Sequence, residues 1–180
     1  MAMRPLLMRE LVMRFLIAAL TIGGLTVSVL ALRLHNADPN AAPPCAVTEH
    51  WDCGAVNHSR FAEFPPRLFD EPAGSGKTHI PVALIGIFGY SLMFLGAVFG
   101  RWWIVLQLAE IGFGAACFLT YLEAFVLQKW CIYCVWSQAI VATIVLSSIV
   151  ALIFRKLESR RESKRESRLD RKAASEPAAS

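Results

Sequence analysis

Charged side chains are scarce in this sequence: Asp, Glu, Lys and Arg make up 18% of 180 residues, against about a quarter in soluble domains. With 56% hydrophobic residues and a mean hydropathy of +0.48, that shortage excludes a water-soluble domain of this size and predicts a bilayer protein. Internal repeats are absent as well, which excludes a solenoid or other array. Histidine is also rare, at four residues. Cys45, His50, Cys53 and His58 could offer two sulfurs and two nitrogens, but their spacing matches no compact zinc finger, and no metal site is expected.

What the chain does have is long apolar runs, at residues 15–32, 80–100, 102–127 and 131–154. Each can supply the ~20 helical residues that cross a hydrocarbon core, and lipid offers no solvent to unpaired backbone groups, so such segments must be helices. The expected fold is an all-α integral membrane protein. Residues 1–154 form a four-transmembrane-helix domain capped by an extracytoplasmic loop or half-helix at 33–79, and residues 155–180 form a charged tail. The first run reads as an uncleaved span, because it is longer than a signal core and only a weak Asn40-Ala41-Ala42 site follows it.

Basic residues orient the bundle. Arg4, Arg9 and Arg14 precede the first run, Arg101 separates the second from the third, and nine Lys or Arg against four acidic residues give +5 over 155–172. With four spans these segments share one side, which the positive-inside rule makes cytoplasmic. The loop 33–79 and the turn 128–130 then face outward, on the oxidising side where disulfides persist. Within the loop, Phe61, Phe64, Leu68 and Phe69 fall near one helical face that Pro65-Pro66 must bend, and Gly74-Ser75-Gly76 gives a flexible link. The glycines of the second and third runs, Gly86, Gly89, Gly96, Gly100, Gly112 and Gly114, suit close helix packing. The tail reads as a solvated helical extension of the last span, its acidic residues four apart among basic ones.

Four of the five cysteines fall in two pairs on the outer side. Cys131 and Cys134 are three apart where the last span begins, so they share a helical face and a disulfide is within reach. The helix N-terminus there favours the thiolate of Cys131. Cys45 and Cys53 lie in an irregular loop that can bring them together, either as a static staple or as a mobile dithiol, and thiol exchange through the membrane surface needs two couples in series. Gln138, one turn beyond Cys134, extends that face as either a ligand donor or an interhelical hydrogen bond. Cys117 reads as a small buried apolar residue. Glu110 lies deep in the third run and is expected to face the bundle interior, for structural pairing or for proton handling. Glu123, near the outer end, is expected to reach the interface.

These residues resemble the bacterial form of the vitamin K epoxide reductase family. The likeness rests on Cys45, then Asp52-Cys53-Gly54-Ala55-Val56-Asn57-His58-Ser59, Ile80-Pro81-Val82-Ala83 with Gly86 and Tyr90, and Cys131-Ile132-Tyr133-Cys134. It implies a four-helix bundle around a quinone, either ubiquinone or menaquinone, with the loop helix as a lid. It also implies that Cys45 meets a periplasmic DsbA-like thioredoxin-fold partner, that Cys53 attacks Cys131, and that Cys134 faces the quinone. Ser59 matches the family's loop serine or threonine. The animal enzymes carry a tyrosine four after the last cysteine and an asparagine near the start of the second span. This chain has Gln138 and Val82 there, so the resemblance implies quinone reduction, with vitamin K epoxide reduction as the alternative. The charged tail stands where some bacterial relatives have a fused thioredoxin domain, so the partner is expected in trans. The unrelated bundle DsbB has its two dithiols in the opposite order. The expectation is therefore a bacterial inner-membrane thiol oxidase, surrounded by lipid and binding no nucleic acid. The competing reading is a non-catalytic protein whose cysteines are staples or ligands.

Overall fold

The computed structural model describes residues 3–38, 45, 48–66 and 79–175, and the side chains of most of these. Helix α1 (Met3–His35) is 33 residues long. It carries the first apolar run without an interior proline after Pro5, and it ends where the N–H groups of Asn36 and Ala37 donate to the carbonyls of Leu32 and Leu34, each at 3.1 Å. Helix α2 (Cys53–Asn57) is a single capped turn and a half. A 3-10 turn at Arg60–Ala62 leads into strand β1 (Glu63–Phe64), which pairs antiparallel with β2 (Ile80–Pro81), Glu63 opposite Pro81 and Phe64 opposite Ile80.

Helices α3 (Val82–Val98) and α4 (Trp102–Tyr121) are joined through Gly100, whose φ of +66° suits a residue without Cβ. The end of α4 widens into a π-helical turn at Leu122–Leu127, closed by Gln128 at φ 51°. Helix α5 (Ile132–Ser175) runs 44 residues without a break. Three stretches, Met8–His35, Trp102–Leu127 and Ile132–Arg168, are long and apolar enough to cross a membrane. The chain is thus a predominantly helical membrane protein.

Helix α1 packs on α3 and α5, and α4 packs on the same two, so the long helices close a ring. Its core takes Ile17 from α1, Tyr90, Met93 and Ala97 from α3, Trp102, Val105 and Ala109 from α4, and Val141, Ile144 and Ala151 from α5. Van der Waals contact must hold this core, since lipid tails solvate apolar side chains as well as a neighbouring helix does. Gly24 lets α1 approach α3 closely: a Cβ there would stand 2.2 Å from the Tyr90 ring. Gly86, Gly96 and Gly112 also meet neighbouring side chains, while Gly89 and Gly114 face open space and are not packing positions.

Several expectations change. The outer cap, expected as a loop or half-helix, is α2, a 3-10 turn and a small hairpin whose first strand stops at Phe64, just before the prolines. The aromatic face keeps Phe61 half-buried and leaves Phe64 exposed; Leu68, Phe69 and the Gly74-Ser75-Gly76 link lie outside the described residues. The second run starts as a strand, so its helix begins at Val82 rather than 80. Helix α5 continues from the last run into the charged segment, with its described side chains largely exposed from Phe154 to Arg168.

Candidate functional site at the capped end of the bundle

Two distant segments are stitched together at this end. Trp51 and Trp130 form a parallel bridge, with the Trp130 N–H donating to the His50 carbonyl at 2.7 Å and the Asp52 N–H to the Trp130 carbonyl at 3.1 Å. The two indoles stand 6.3 Å apart, and the Lys129 ammonium holds the Glu49 carbonyl. One residue past this clasp, Asp52 caps α2 by accepting the Ala55 N–H at 3.0 Å. Cys53 is therefore delivered beside Cys131.

All four predicted cysteines lie here. Cys45 is disulfide-bonded to Cys53, with Cα atoms 5.9 Å apart, while Cys131 and Cys134 are free thiols. Cys53 and Cys131 are fully buried and share one cluster with Leu34, Cys45 and Val56, against which Leu127, Tyr133 and Cys134 pack. Cys131 stands just ahead of α5, its carbonyl accepting the Val135 N–H at 3.1 Å. A hydrogen bond with the Cys134 thiol holds the Cys131 thiol below its ordinary value, against the opposing effect of burial.

Asn57 links the two couples. Its Nδ2 donates to the Cys53 carbonyl at 2.9 Å and to Cys131 Sγ at 3.4 Å. The Asn57 carbonyl accepts from His35 Nδ1 at 2.6 Å, and His35 Nε2 lies 3.5 Å from Glu63 Oε1. That fixes the end of α1 to both α2 and the hairpin. His58, stacked on His35 at 6.2 Å, contacts the Gly54 and Ala37 carbonyls.

Beneath the lid, among the four long helices, is a cavity of about 390 Å³. Its wall is mainly apolar, from residues such as Val27, Met93, Leu108 and Leu119, and it includes Cys134, Ser59, Val82 and Tyr133. Ser59 Oγ is buried without a hydrogen-bond partner. A largely apolar chamber with a few polar side chains on its wall suits a small apolar ligand bearing carbonyl oxygens.

Of the two readings of Gln138, the interhelical hydrogen bond is present: its Oε1 accepts from Thr120 Oγ1 at 2.6 Å and its Nε2 lies 3.8 Å from Cys117 Sγ, across the α4–α5 contact. Two other sequence expectations need correcting. Cys117 is exposed rather than buried. Glu110 is exposed on the outer face of α4, hydrogen-bonded by Gln107 at 3.4 Å. The inward face of that helix is set by Trp102, Val105 and Ala109, and Glu110 falls a hundred degrees or so past it.

The residue that sequence reasoning missed is Glu123. Instead of reaching the interface it is 2% exposed, lines the cavity, and accepts the Cys131 N–H on Oε2 at 3.2 Å. The π-helical turn swings it inward, and one available signal was its place eight residues before Cys131, on the approach to the dithiol. Among the described residues no cluster of His, Cys, Asp and Glu could hold a metal ion.

The model of one protein family, the Vitamin K epoxide reductase family, matches residues 15–149. No curated protein matches the chain.

Proposed function

The chain belongs to the vitamin K epoxide reductase family, a family of membrane oxidoreductases, and from that premise we propose that it is a quinone-dependent thiol oxidase. It takes two electrons from a periplasmic thioredoxin-fold dithiol of the DsbA type and passes them through Cys45/Cys53 and Cys131/Cys134 to a membrane quinone. The observation that carries this reading is the burial of Cys53 and Cys131 in one cluster, with Cys134 on the cavity wall.

Each transfer is a thiol exchange. A partner thiolate attacks Cys45, breaking its bond to Cys53, and the partner's second thiol then releases Cys45. The Cys53 thiolate attacks the Cys131 sulfur of a Cys131–Cys134 disulfide, and Cys134 leaves as thiolate. Cys45 next attacks Cys53, re-forming the loop disulfide and freeing Cys131. Asn57 supports the Cys131 leaving step through its bond to Cys131 Sγ. The end point is the arrangement in this structure, with the loop pair bonded and the inner pair as thiols.

A quinone in the cavity supplies a two-electron acceptor that returns the inner pair to the disulfide. Ser59, Val82 and Cys134 line the space it would take, and the unspent Ser59 hydroxyl can donate to a carbonyl oxygen. Ubiquinone and menaquinone both fit this chemistry.

In this reading residues 1–154 are the membrane domain of a bacterial inner-membrane protein, and residues 155–180 are a cytoplasmic tail. Helix α3 is the fourth span. Its 17 residues rise about 25 Å, and two extended residues of β2 add about 7 Å, together matching a hydrocarbon core of ~30 Å.

The test is anaerobic: purified protein, a reduced thioredoxin-fold dithiol and a soluble quinone, followed by quinone absorbance. Quinone loss that requires the dithiol and disappears in Cys134→Ser is expected. In Cys45→Ser a Cys53–Cys131 cross-link should accumulate on thiol-labelling gels. A folded protein that shows neither would return the cysteines to the role of staples.

A further inference from the structure

We propose that Glu123 is the proton-transfer group of the inner dithiol. This rests on the thiol-oxidase reading above and adds a residue to it. Three features of the carboxyl point this way. It is buried to 2% and faces the cavity. One oxygen is held by the Cys131 N–H at 3.2 Å, while the other, Oε1, is buried without a hydrogen-bond partner. The carboxyl also shares the cavity wall with Cys134. It therefore holds the backbone of one reacting cysteine and lines the same chamber as the other, with one acceptor atom left unpartnered.

Among the described residues Glu123 has no ion-pair partner. Lys129, the nearest cation in sequence, donates its backbone N–H to the Glu123 carbonyl and turns its ammonium to Glu49. Other polar side chains on the cavity wall include His35, Asn57, Ser59 and Tyr133. An unpaired carboxyl in a dry site is costly to keep for packing alone, and its cost is understandable if it must gain and lose a proton in each cycle.

The proton count gives it work. Closing the Cys131–Cys134 disulfide breaks two S–H bonds, makes one S–S bond, and releases two electrons and two protons; conversion of a quinone to its hydroquinone consumes the same number of each. Glu123 takes the proton of Cys134 as that sulfur becomes a thiolate and returns it from Oε1 toward the cavity. The proton of Cys131 leaves to the outer water, which provides the second proton bound by the hydroquinone.

Glu123→Gln tests this, since the amide oxygen can still accept the Cys131 N–H. Two half-reactions are measured: reduction of the Cys45–Cys53 disulfide by the soluble dithiol, and single-turnover oxidation of the inner dithiol by quinone. The first should stay within about twofold of the unsubstituted protein, while the second falls on the order of a hundredfold or more, as expected when a positioned acid–base group is lost. Infrared difference spectra between dithiol and disulfide forms, recorded without quinone, should contain a carboxyl band that is absent in Glu123→Gln. Glu123→Asp should recover part of the quinone step and keep a carboxyl band.

Oxidation of the inner dithiol within about threefold of normal in Glu123→Gln, or no carboxyl band attributable to Glu123, overturns the assignment and leaves the quinone reading standing. Equal loss in both half-reactions in Glu123→Gln and Glu123→Asp marks a structural role and overturns it too. Failure of the unsubstituted protein to reduce any quinone removes the parent reading, a different result from either.

Discussion

Asn57 does with one amide what usually takes two residues. Its Nδ2 closes α2 by bonding the Cys53 carbonyl at 2.9 Å and reaches Cys131 Sγ at 3.4 Å, so the helix that carries Cys53 is indexed to Cys131. A hydrogen bond to a neutral thiol contributes little, whereas the same bond to a thiolate is charge-assisted and worth roughly 1.5–3 kcal/mol. The amide therefore favours states in which Cys131 carries charge. Asn57→Ala should slow electron transfer between the two couples by about ten- to a hundredfold on that figure, with the loop disulfide still forming. Quenched alkylation after a single reducing pulse reads it: delayed appearance of Cys131 and Cys134 thiols is expected, and unchanged timing would show that the contact has no kinetic role. In the sequence Asn57 was one letter of a motif. Its function depends on Cys131, 74 residues away, and no local spacing could announce it.

At the scale of elements, the helices were legible because lipid imposes a simple rule, about twenty apolar residues per crossing, and the four apolar runs obey it closely enough to locate α1, α3, α4 and α5. The cysteine pairs were legible for a related reason: a three-residue spacing at a helix start has few other uses. The capped end was not. Strands of two residues, such as Glu63–Phe64 and Ile80–Pro81, are too short for an alternating pattern to exist, and the wide turn at Leu122–Leu127 leaves no period in the sequence that would have revealed Glu123 turning inward. Likewise the Trp51–Trp130 bridge joins chain ends that only the finished bundle brings together. That bridge is nevertheless what seats Cys53. Trp130→Pro deletes the N–H that donates to the His50 carbonyl; the Cys53–Cys131 cross-link trapped in a Cys45→Ser background should then fall at least about tenfold, the effect of losing ~1.4 kcal/mol of positioning. A cross-link yield equal to that with Trp130 intact would mean that the lid seats itself without the clasp.

For the whole molecule, the ends of the ring differ in chemistry. At one end Arg14 packs on the turn at Gly100 and the Arg9 guanidinium stands 5.0 Å over the Phe154 ring, just before the basic tail. The start of α1, the α3–α4 turn and the lower part of α5 are thus neighbours, which is the arrangement inferred from the distribution of Lys and Arg. At the other end lie the cysteines, the clasp and the lid. In the proposed positive-inside orientation the cysteine end would lie on the oxidising face, where a disulfide at Cys45–Cys53 can persist. Trypsin tests it on the unaltered protein in native membranes. In inside-out vesicles the tail, basic at nine positions over 155–172 and largely exposed from Arg155 to Arg168, should be removed with a matching loss of mass. In right-side-out spheroplasts it should survive, while Arg33, exposed at the far end of α1, is on the side the protease can reach. The reverse pattern would put both cysteine pairs in a reducing compartment, where the loop disulfide would not persist and an exported thiol partner could not meet it.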